Sequence, residues 1–319
     1  MISGSWQMHA LSQLVSIQIM DWNRASALDA LRGSDLLKLG VSANQFRLQL
    51  HPADVVTYEL RGRASSMEGA IAEVRLRGAS EISLRLLHDV QQIPADALEP
   101  LLIAPHKQLP SVTFHHLPVF AEAEGLASLA EALPRLRAAG LRSIFLDFDA
   151  ARSSAPSRSN LIALLSRAAA AGLGVSAVVT MGNTGSLEQR VETLHLLREL
   201  QQETGAFQSL LLCVHHAAGP GARPEEDATA VDYLRTLAVT RLFLDTIPHV
   251  QTDWSVMGPK VLELALRFGA DDAGTIPWSQ NGDPGPSHHG GESELRRIIR
   301  DAGFRPVERD ALFRQSLLH

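Results

Sequence analysis

The chain has 319 residues, of which 45% are apolar and 20% charged, and it carries a net charge of −6. This composition is ordinary for a soluble globular protein with a sizeable core, and the absence of a basic block argues against a nucleic-acid partner. No run of 18 apolar residues occurs, and the first residues lack the basic start and cleavage site of a signal peptide, so we expect a cytoplasmic protein without membrane contact.

The first elements are predicted to be helical. Residues 23–50 contain two apolar-periodic segments, and Ser34-Asp35 between them is a typical helix cap. A strand is predicted at residues 55–60, VVTYEL, after the turn His51-Pro52. Ser65-Ser66 then predicts the cap of a helix that extends to Arg77.

From there the chain alternates between apolar strands and helices. This alternation is typical of a parallel sheet covered by helices, and no GxGxxG follows a strand, so a barrel is favoured over a Rossmann sheet. Strands are predicted at 81–87, 111–117, 143–148, 175–181 and 209–214, and helices at 96–104, 125–139, 159–171, 186–204 and 226–243.

Two C-terminal helices have clear boundaries. Ser186 and Gln189 predict a capping box, and Gly205 ends that helix. Gly258-Pro259 opens a second helix that Gly269 closes, between polar segments that are typical of the last strands of a βα barrel.

The predicted fold class is therefore α/β, a (β/α) TIM-type barrel, closed or incomplete, with an N-terminal helical lead-in. We predict three regions: residues 1–60 as the lead-in with a short strand, 61–276 as the barrel, and 277–319 as an irregular lid with a C-terminal helix.

The C-terminal part resembles a known family. The matching residues are Leu244-Asp245-x-Ile247-Pro248-x-x-Gln251-x-x-Trp254, Met257-Gly258-Pro259-Lys260, and Phe268-Gly269-Ala270-Asp271-Asp272-x-Gly274-Thr275. They resemble the radical S-adenosylmethionine enzymes of futalosine-dependent menaquinone biosynthesis, a group that includes cyclic dehypoxanthine futalosine synthase, aminofutalosine synthase and the FO synthases. The resemblance is high in residues 180–275 and 292–313 and poor in 60–160.

The chain departs from this family at its iron–sulfur site. The resemblance implies a CxxxCxxC loop after the first strands, whose thiolates hold a 4Fe–4S cluster that binds S-adenosylmethionine. Here Leu60 continues through Arg61-Gly62-Arg63 into the next helix, and the only cysteine is Cys213. Because such a cluster needs three or four thiolates, we expect no cluster; S-adenosylmethionine is still a candidate ligand, although its anchor is missing.

Polar residues at the predicted carboxyl ends of the strands are the candidate site, because barrel enzymes act there. The candidate acid–base residues are His116, Asp147, His215 and Asp253, and the candidate ligand-binding residues are Thr180, Asn183, Gln251, Trp254 and Asp271. A catalytic metal is not predicted, since neither HxH nor HExxH occurs. Adjacent strand residues face opposite sides, so at most one of His115 and His116, and one of His215 and His216, should point inward.

Three hypotheses follow. The first is a cluster-less homologue of cyclic dehypoxanthine futalosine synthase that cannot perform radical chemistry and binds a nucleoside-like or menaquinone-precursor ligand, or supports a partner enzyme. The second is a repurposed non-radical lyase, hydrolase or cyclase that uses acid–base residues at the barrel mouth. The third is a structural subunit that forms a homo- or hetero-oligomer with a related barrel.

Overall fold

The computed structural model describes most of the chain between Trp22 and Gln315. The described residues are 22–315 apart from 34, 63, 78–79, 86, 88–94, 150–156, 183–184, 215–227, 253 and 278–290.

The helical lead-in is confirmed. Helix α1 spans Arg24–Arg32 and helix α2 spans Leu36–Leu50. Asn23 caps α1 by accepting a hydrogen bond from the Ser26 amide, and Asp35 caps α2 by accepting one from the Lys38 amide. These caps fix where each helix begins, and both helices then pack against helices of the barrel wall.

The strands confirm the barrel prediction. Among the described residues, eight strands form one sheet in which every paired neighbour is parallel, and two short ones form a second parallel pair beside it. In sheet order the eight are β10 (Arg305–Arg309), β1 (Val55–Arg61), β9 (Asp272–Pro277), β8 (His249–Thr252), β7 (Phe207–Val214), β6 (Gly174–Met181), β5 (Ser143–Asp149) and β4 (Leu117–Phe120), and the pair is β2 (Glu81–Ser83) with β3 (Thr113–His115).

The helices between the strands form the outer layer, and their apolar sides bury the main core between helices and sheet. They are α3 (Met67–Arg77), α4 (Ala95–Gln108), α5 (Leu126–Ala138), α6 (Arg158–Ala170), α7 (Leu187–Thr204), α8 (Ala230–Phe243), α9 (Trp254–Met257), α10 (Pro259–Ala265) and α11 (Glu292–Asp301). The capping box of Ser186 and Gln189 on α7 is confirmed, and Gly205 ends that helix in the left-handed conformation. No described helix combines the length and the apolar character needed to cross a bilayer.

The predicted strand at 111–117 is broken at His116. His116 has a positive φ of 56°, which interrupts the extended backbone between β3 and β4. The break lets β3 pair with β2 and β4 pair with β5. It also resets the alternation of side chains, so His115 and His116 both lie inside the barrel. The prediction that at most one of them points inward was therefore wrong.

The first strand has a paired neighbour on each side. β1 pairs with β9 on one side and with β10 on the other, and its end also contacts β2. The turn after β10 reaches β2, where the Ala311 backbone donates a hydrogen bond to the Glu81 carboxylate. Strand β10 therefore occupies the amino-terminal part of the gap between β1 and β2.

Candidate functional site: the polar interior of the barrel

Buried polar side chains fill the lower half of the barrel. Arg309 from β10 bonds both oxygens of Asp272, with a distance of 2.9 Å from Nη2 to Oδ1, and its Nη1 lies 3.3 Å from Glu59 Oε2. Thr57 Oγ1 donates to Asp272 Oδ2 at 2.6 Å. Burial lowers the pKa of Arg309, but the charges of Asp272 and Glu59 outweigh it and hold that pKa above its usual range. Arg309 is therefore a permanent cation that holds two buried carboxylates.

The same network crosses to the opposite wall through an amide and two hydroxyls. Arg309 Nη2 donates to Gln251 Oε1 at 3.3 Å, Gln251 Nε2 donates to Ser209 Oγ at 2.8 Å, and Ser209 donates to Ser176 Oγ at 2.7 Å. Gln251, a predicted ligand-binding residue, is only 1% exposed. Its amide hydrogen-bonds with Ser209 and Arg309 inside the barrel, below the mouth at the carboxyl ends of the strands.

His116 lies above this network and is 2% exposed. Its Nε2 is 3.7 Å from Glu59 Oε2, its Nδ1 is 3.2 Å from Ser83 Oγ, and its ring lies 4.3 Å from the ring of Phe145. Burial lowers the pKa of His116 well below its usual value, and the charges of three nearby arginines lower it further. The imidazole is therefore neutral at pH 7 and can accept a proton or a hydrogen bond.

The upper half of the barrel combines apolar and charged side chains. Phe145, Val178, Leu211 and Cys213 form a buried cluster that is separate from the main core. The guanidinium of Arg85 lies 5.3 Å above the Phe145 ring and donates to Cys213 Sγ at 3.4 Å. This cluster forms an apolar floor with a cation at its edge.

Two predicted site residues meet at the mouth. Thr180 at the end of β6 donates a hydrogen bond to Asp147 Oδ1 on β5 at 3.2 Å, and both side chains are partly exposed. In the strand register Asp147 opposes Val178 and Asp149 opposes Thr180, so this hydrogen bond joins side chains two positions apart on the same face of the sheet. Asp147, a predicted acid–base residue, and Thr180, a predicted ligand-binding residue, are therefore in contact at the carboxyl ends of their strands.

Asp271 lies at the other end of the barrel. Strand β9 begins at Asp272, so Asp271 precedes the strand instead of following it. Its carboxylate contacts Arg241, His249 and His51. The prediction that Asp271 and Asp272 lie at a strand's carboxyl end was wrong, because the sequence pattern did not show which end of the short strand carries the polar pair.

Trp254 follows β8 and begins helix α9. It is 4% exposed and packs within the main hydrophobic core, between the sheet and the helices. Asn183, His215 and Asp253 lie outside the described residues. Residues 278–290 of the predicted lid lie outside them as well.

The structure brings together several residues that the sequence interpretation missed. Three arginines, Arg61, Arg85 and Arg309, lie close enough to His116 to lower its pKa. Glu59 lies 3.7 Å from the His116 ring and also contacts Arg309. The alternation of Thr57, Glu59 and Arg61 in the first strand is a signal that one face of this strand is polar. Arg309 had no comparable signal, because strand β10 was not predicted.

The iron–sulfur cluster that the family resemblance implies does not fit the residues present. Strand β1 leads through Gly62 and Ala64 to Ser66, which caps helix α3 by accepting a hydrogen bond from the Gly69 amide at 3.2 Å. This connection contains no thiol, and the single cysteine of the chain, Cys213, is buried in β7. One thiolate cannot supply the three or four ligands that a cluster requires.

Solved structures identify the class of fold. The chain superimposes on the FeFe-hydrogenase maturase HydG from Carboxydothermus hydrogenoformans with a TM-score of 0.66 and 13% identity, over 97% of this chain and 81% of that one. Methylornithine synthase gives a TM-score of 0.61 with 14% identity, over 90% of this chain and 95% of that one. The protein thus shares the parallel α/β fold of the TIM-barrel type with these two structures.

Sequence comparisons define the group more narrowly. Residues 222–317 match the family model described as the CofH/MqnC C-terminal region. The chain is 29% identical to cyclic dehypoxanthine futalosine synthase of Streptomyces coelicolor, over 67% of this chain and 57% of that protein. It is 37% identical to aminodeoxyfutalosine synthase of Thermus thermophilus, over 45% of this chain and 41% of that protein. These matches confirm the predicted relationship to the futalosine-pathway group, although the chain spans only about half the length of these relatives.

Proposed function

We propose that this protein is a ligand-binding barrel of the futalosine-pathway group that does not itself generate radicals. The observation that carries this proposal is the cysteine content: the short connection from β1 into helix α3, where the family resemblance implies a cluster loop, contains no thiol, and Cys213 is the only cysteine of the sequence. A radical enzyme of this group would need a cluster to reduce S-adenosylmethionine, so the chemistry lacks its electron source.

The position of Cys213 supports the proposal further. Its side chain is 6% exposed and belongs to the apolar floor with Phe145, Val178 and Leu211. It lies on β7, which β9 and β8 separate from β1 in the sheet, whereas the family resemblance implies a cluster loop after β1. This thiol therefore packs as a small apolar side chain and is poorly placed to become part of a rebuilt cluster.

The mouth of the barrel suits a ligand with a flat or sugar-like part and polar groups. The apolar floor is a buried cluster beneath the mouth, and Arg85, Thr180 and Asp147 offer hydrogen-bond donors and acceptors around it. Ligand sites are commonly apolar clefts with a few placed polar groups, and a nucleoside-like molecule combines the same two features. We infer that the ligand is a nucleoside-like or menaquinone-precursor molecule held at the carboxyl ends of β5, β6 and β7.

Iron analysis tests the first half of this proposal. The full chain is purified without oxygen, incubated with iron and sulfide, and analysed for both elements and for cleavage of S-adenosylmethionine under reducing conditions. We expect substoichiometric iron that is unchanged in Cys213→Ala, and no cleavage. A stoichiometric cluster, or cleavage above the protein-free background, would end the proposal.

Calorimetric titration tests the second half. The probes are aminodeoxyfutalosine, cyclic dehypoxanthine futalosine and 5-amino-6-(D-ribitylamino)uracil, which appear in the names of the relatives. We expect one of them to bind, and Thr180→Val to weaken its binding about 5- to 10-fold, since a net hydrogen bond contributes about 1 kcal/mol. Thr193→Val, on the outer face of helix α7, is the control. If none of the three binds, the ligand assignment fails while the iron result stands.

A second candidate function is non-radical acid–base catalysis at the same mouth. The neutral imidazole of His116, 3.7 Å from Glu59 and beneath the mouth, favours it. We propose that Asp147 would accept the substrate proton and that the neutral His116 would orient the substrate through a hydrogen bond. In an assay of turnover for the ligand found by calorimetry, Asp147→Asn should then abolish conversion while binding persists. Unchanged turnover in both His116→Gln and Asp147→Asn would remove this candidate.

A further inference from the structure

A second cluster of polar side chains lies at the opposite, amino-terminal end of the barrel. His51 follows helix α2, His249 begins β8, and Asp271 immediately precedes β9. One nitrogen of each ring and one carboxylate oxygen all lie within 4.8 Å of one another. Asp271 is 4% exposed, while the His51 and His249 side chains are about one quarter exposed, so the cluster can be reached from solvent.

The two oxygens of the Asp271 carboxylate have different partners. Its Oδ1 accepts hydrogen bonds from Arg241 and, at 2.8 Å, from the Val250 amide. Its Oδ2 faces the histidines, 2.6 Å from His249 Nδ1 and 3.4 Å from His51 Nε2. Arg241 and the backbone therefore fix the orientation of the group, as outer partners do for a metal-ligating carboxylate.

The two rings are held in place by stacking. The His51 and His249 rings are nearly parallel, with centroids 4.9 Å apart, and the other face of His249 stacks on Phe313 at 4.3 Å. His249 directs Nδ1 to Asp271 Oδ2, whereas His51 Nε2, 3.4 Å from that oxygen, lies 2.8 Å from the Pro248 carbonyl oxygen, a contact that a metal would replace. We propose that His51, His249 and Asp271 form a binding site for a divalent transition-metal ion of the zinc class, with Nε2, Nδ1 and Oδ2 as ligand atoms.

The geometry agrees with this assignment. Bonds of about 2.0–2.1 Å at tetrahedral angles place ligand atoms about 3.3–3.4 Å apart, as His51 Nε2 and Asp271 Oδ2 already are. His249 Nδ1 would exchange its hydrogen bond to Asp271 Oδ2 for a metal bond, and the two rings would turn so that their nitrogens, now within 4.8 Å of each other, face one ion. Metal binding requires a lone pair on His51 Nε2 and on His249 Nδ1, so each ring would carry a proton only on its other nitrogen.

The position of the site implies a structural metal. The three ligands join the lead-in helix α2 to strands β8 and β9, at the end of the barrel where stability, not catalysis, is usually built. Because this end is remote from the mouth, the metal site is independent of the proposed ligand function, and either proposal can fail alone.

Metal titration of the full chain tests the inference. The chelator-treated and desalted protein is titrated with cobalt(II) and then with zinc(II), and the visible absorption bands of cobalt are followed. We expect one tetrahedral cobalt per chain, displaced by zinc, and a rise of about 3–5 °C in the unfolding temperature at 100-fold excess over Kd. His51→Ala and His249→Ala should each weaken binding at least 10-fold.

A matched control is His195→Ala, because His195 is 25% exposed and also faces a carboxylate, Glu199, at 3.4 Å. This variant should bind like the parent. If His249→Ala does not fold, His51→Gln gives the same comparison with a smaller change in packing. Cobalt bands that persist undiminished in the His51 variants, or no binding by the parent, would overturn the site and leave a hydrogen-bonded contact between α2, β8 and β9.

Discussion

Arg309 donates a hydrogen bond to Glu59 across 250 residues of sequence, and this contact joins the last strand of the described chain to the first. Asp272 on β9 binds the same guanidinium. Three strands, β1, β9 and β10, thus share one buried charge network inside the barrel. The C-terminal strand is a part of the barrel wall and not an appendage, because its arginine neutralises carboxylates that would otherwise be buried alone.

Replacing Arg309 by methionine should therefore destabilise the fold strongly. The change keeps apolar volume but leaves Glu59 and Asp272 without their cation, and breaking a buried pair in this way costs about 3–5 kcal/mol. The free energy of unfolding, measured by urea denaturation, would fall by that amount. Arg297→Met on helix α11 is the control: its pairs with Glu294 and Asp301 are exposed, so its cost should stay below about 1 kcal/mol. Equal losses in the two variants would contradict the role given to Arg309.

Glu81 gives the protein a pH dependence of stability. Burial, together with the nearby carboxylates of Glu59 and Asp310, raises the pKa of Glu81 to about 7. The ring of His115 lies 3.6 Å away but is neutral, since burial lowers its pKa to about 3. The native state thus retains a proton that the unfolded chain releases near pH 4.5, so this group lowers stability as the pH rises from about 5 to 8.

Glu81→Gln should remove that loss. We expect the variant to match the parent near pH 4 and to exceed it by on the order of 1 kcal/mol at pH 8, because the side chain is about one-third exposed and solvent screens part of the effect. Urea denaturation at several pH values measures this difference, with Glu263→Gln on the exposed side of helix α10 as control. A variant that is less stable than the parent at pH 8 would show that the ionised carboxylate is bound favourably.

Local signals in the sequence account for most of the correctly predicted fold. The caps at Asp35 and Ser186 and the stop at Gly205 act within one turn of helix, so they can be recognised without knowledge of the tertiary structure. The strands β5, β6 and β7 are long apolar runs buried on both faces and were predicted for the same reason.

The parts that were missed depend on distant partners. Strand β10 is defined by pairing with β1, and nothing in its five residues distinguishes it from a loop. The left-handed turn at His116 places two histidines inside, although alternation along a regular strand predicts one. Asp271 was assigned to the wrong end of β9 because the polar pair is held there by Arg241 and Arg309, and these contacts cannot be read from its neighbours in sequence.

Gly274 should be sensitive to any added side chain. It has a φ of 78°, and a Cβ at this position would lie 2.6 Å from the carbonyl oxygen of Thr252 on β8. Gly172 has a similar φ of 67° but has no neighbouring atom within 4 Å of such a Cβ. Gly172→Ala should therefore lower the free energy of unfolding by about 1–2 kcal/mol, because of the strained backbone alone. Gly274→Ala should lower it by at least about 2 kcal/mol more, because of the clash with Thr252. Urea denaturation measures both values. Similar losses would mean that β8 and β9 separate easily at this point.

Cys213 should behave as a buried thiol. It is 6% exposed within the apolar floor, where Arg85 donates to its sulfur. Reaction with a disulfide reagent therefore requires an opening of the barrel interior, and we expect the native protein to react at least about 100-fold more slowly than the urea-unfolded chain. Because the barrel mouth lies above this floor, a ligand bound there should slow the reaction further, whereas zinc at the opposite end should protect it only through overall stability. Labelling of the native protein as fast as that of the unfolded chain would contradict the burial of Cys213, and labelling that a bound ligand leaves unchanged would contradict the proposed ligand position.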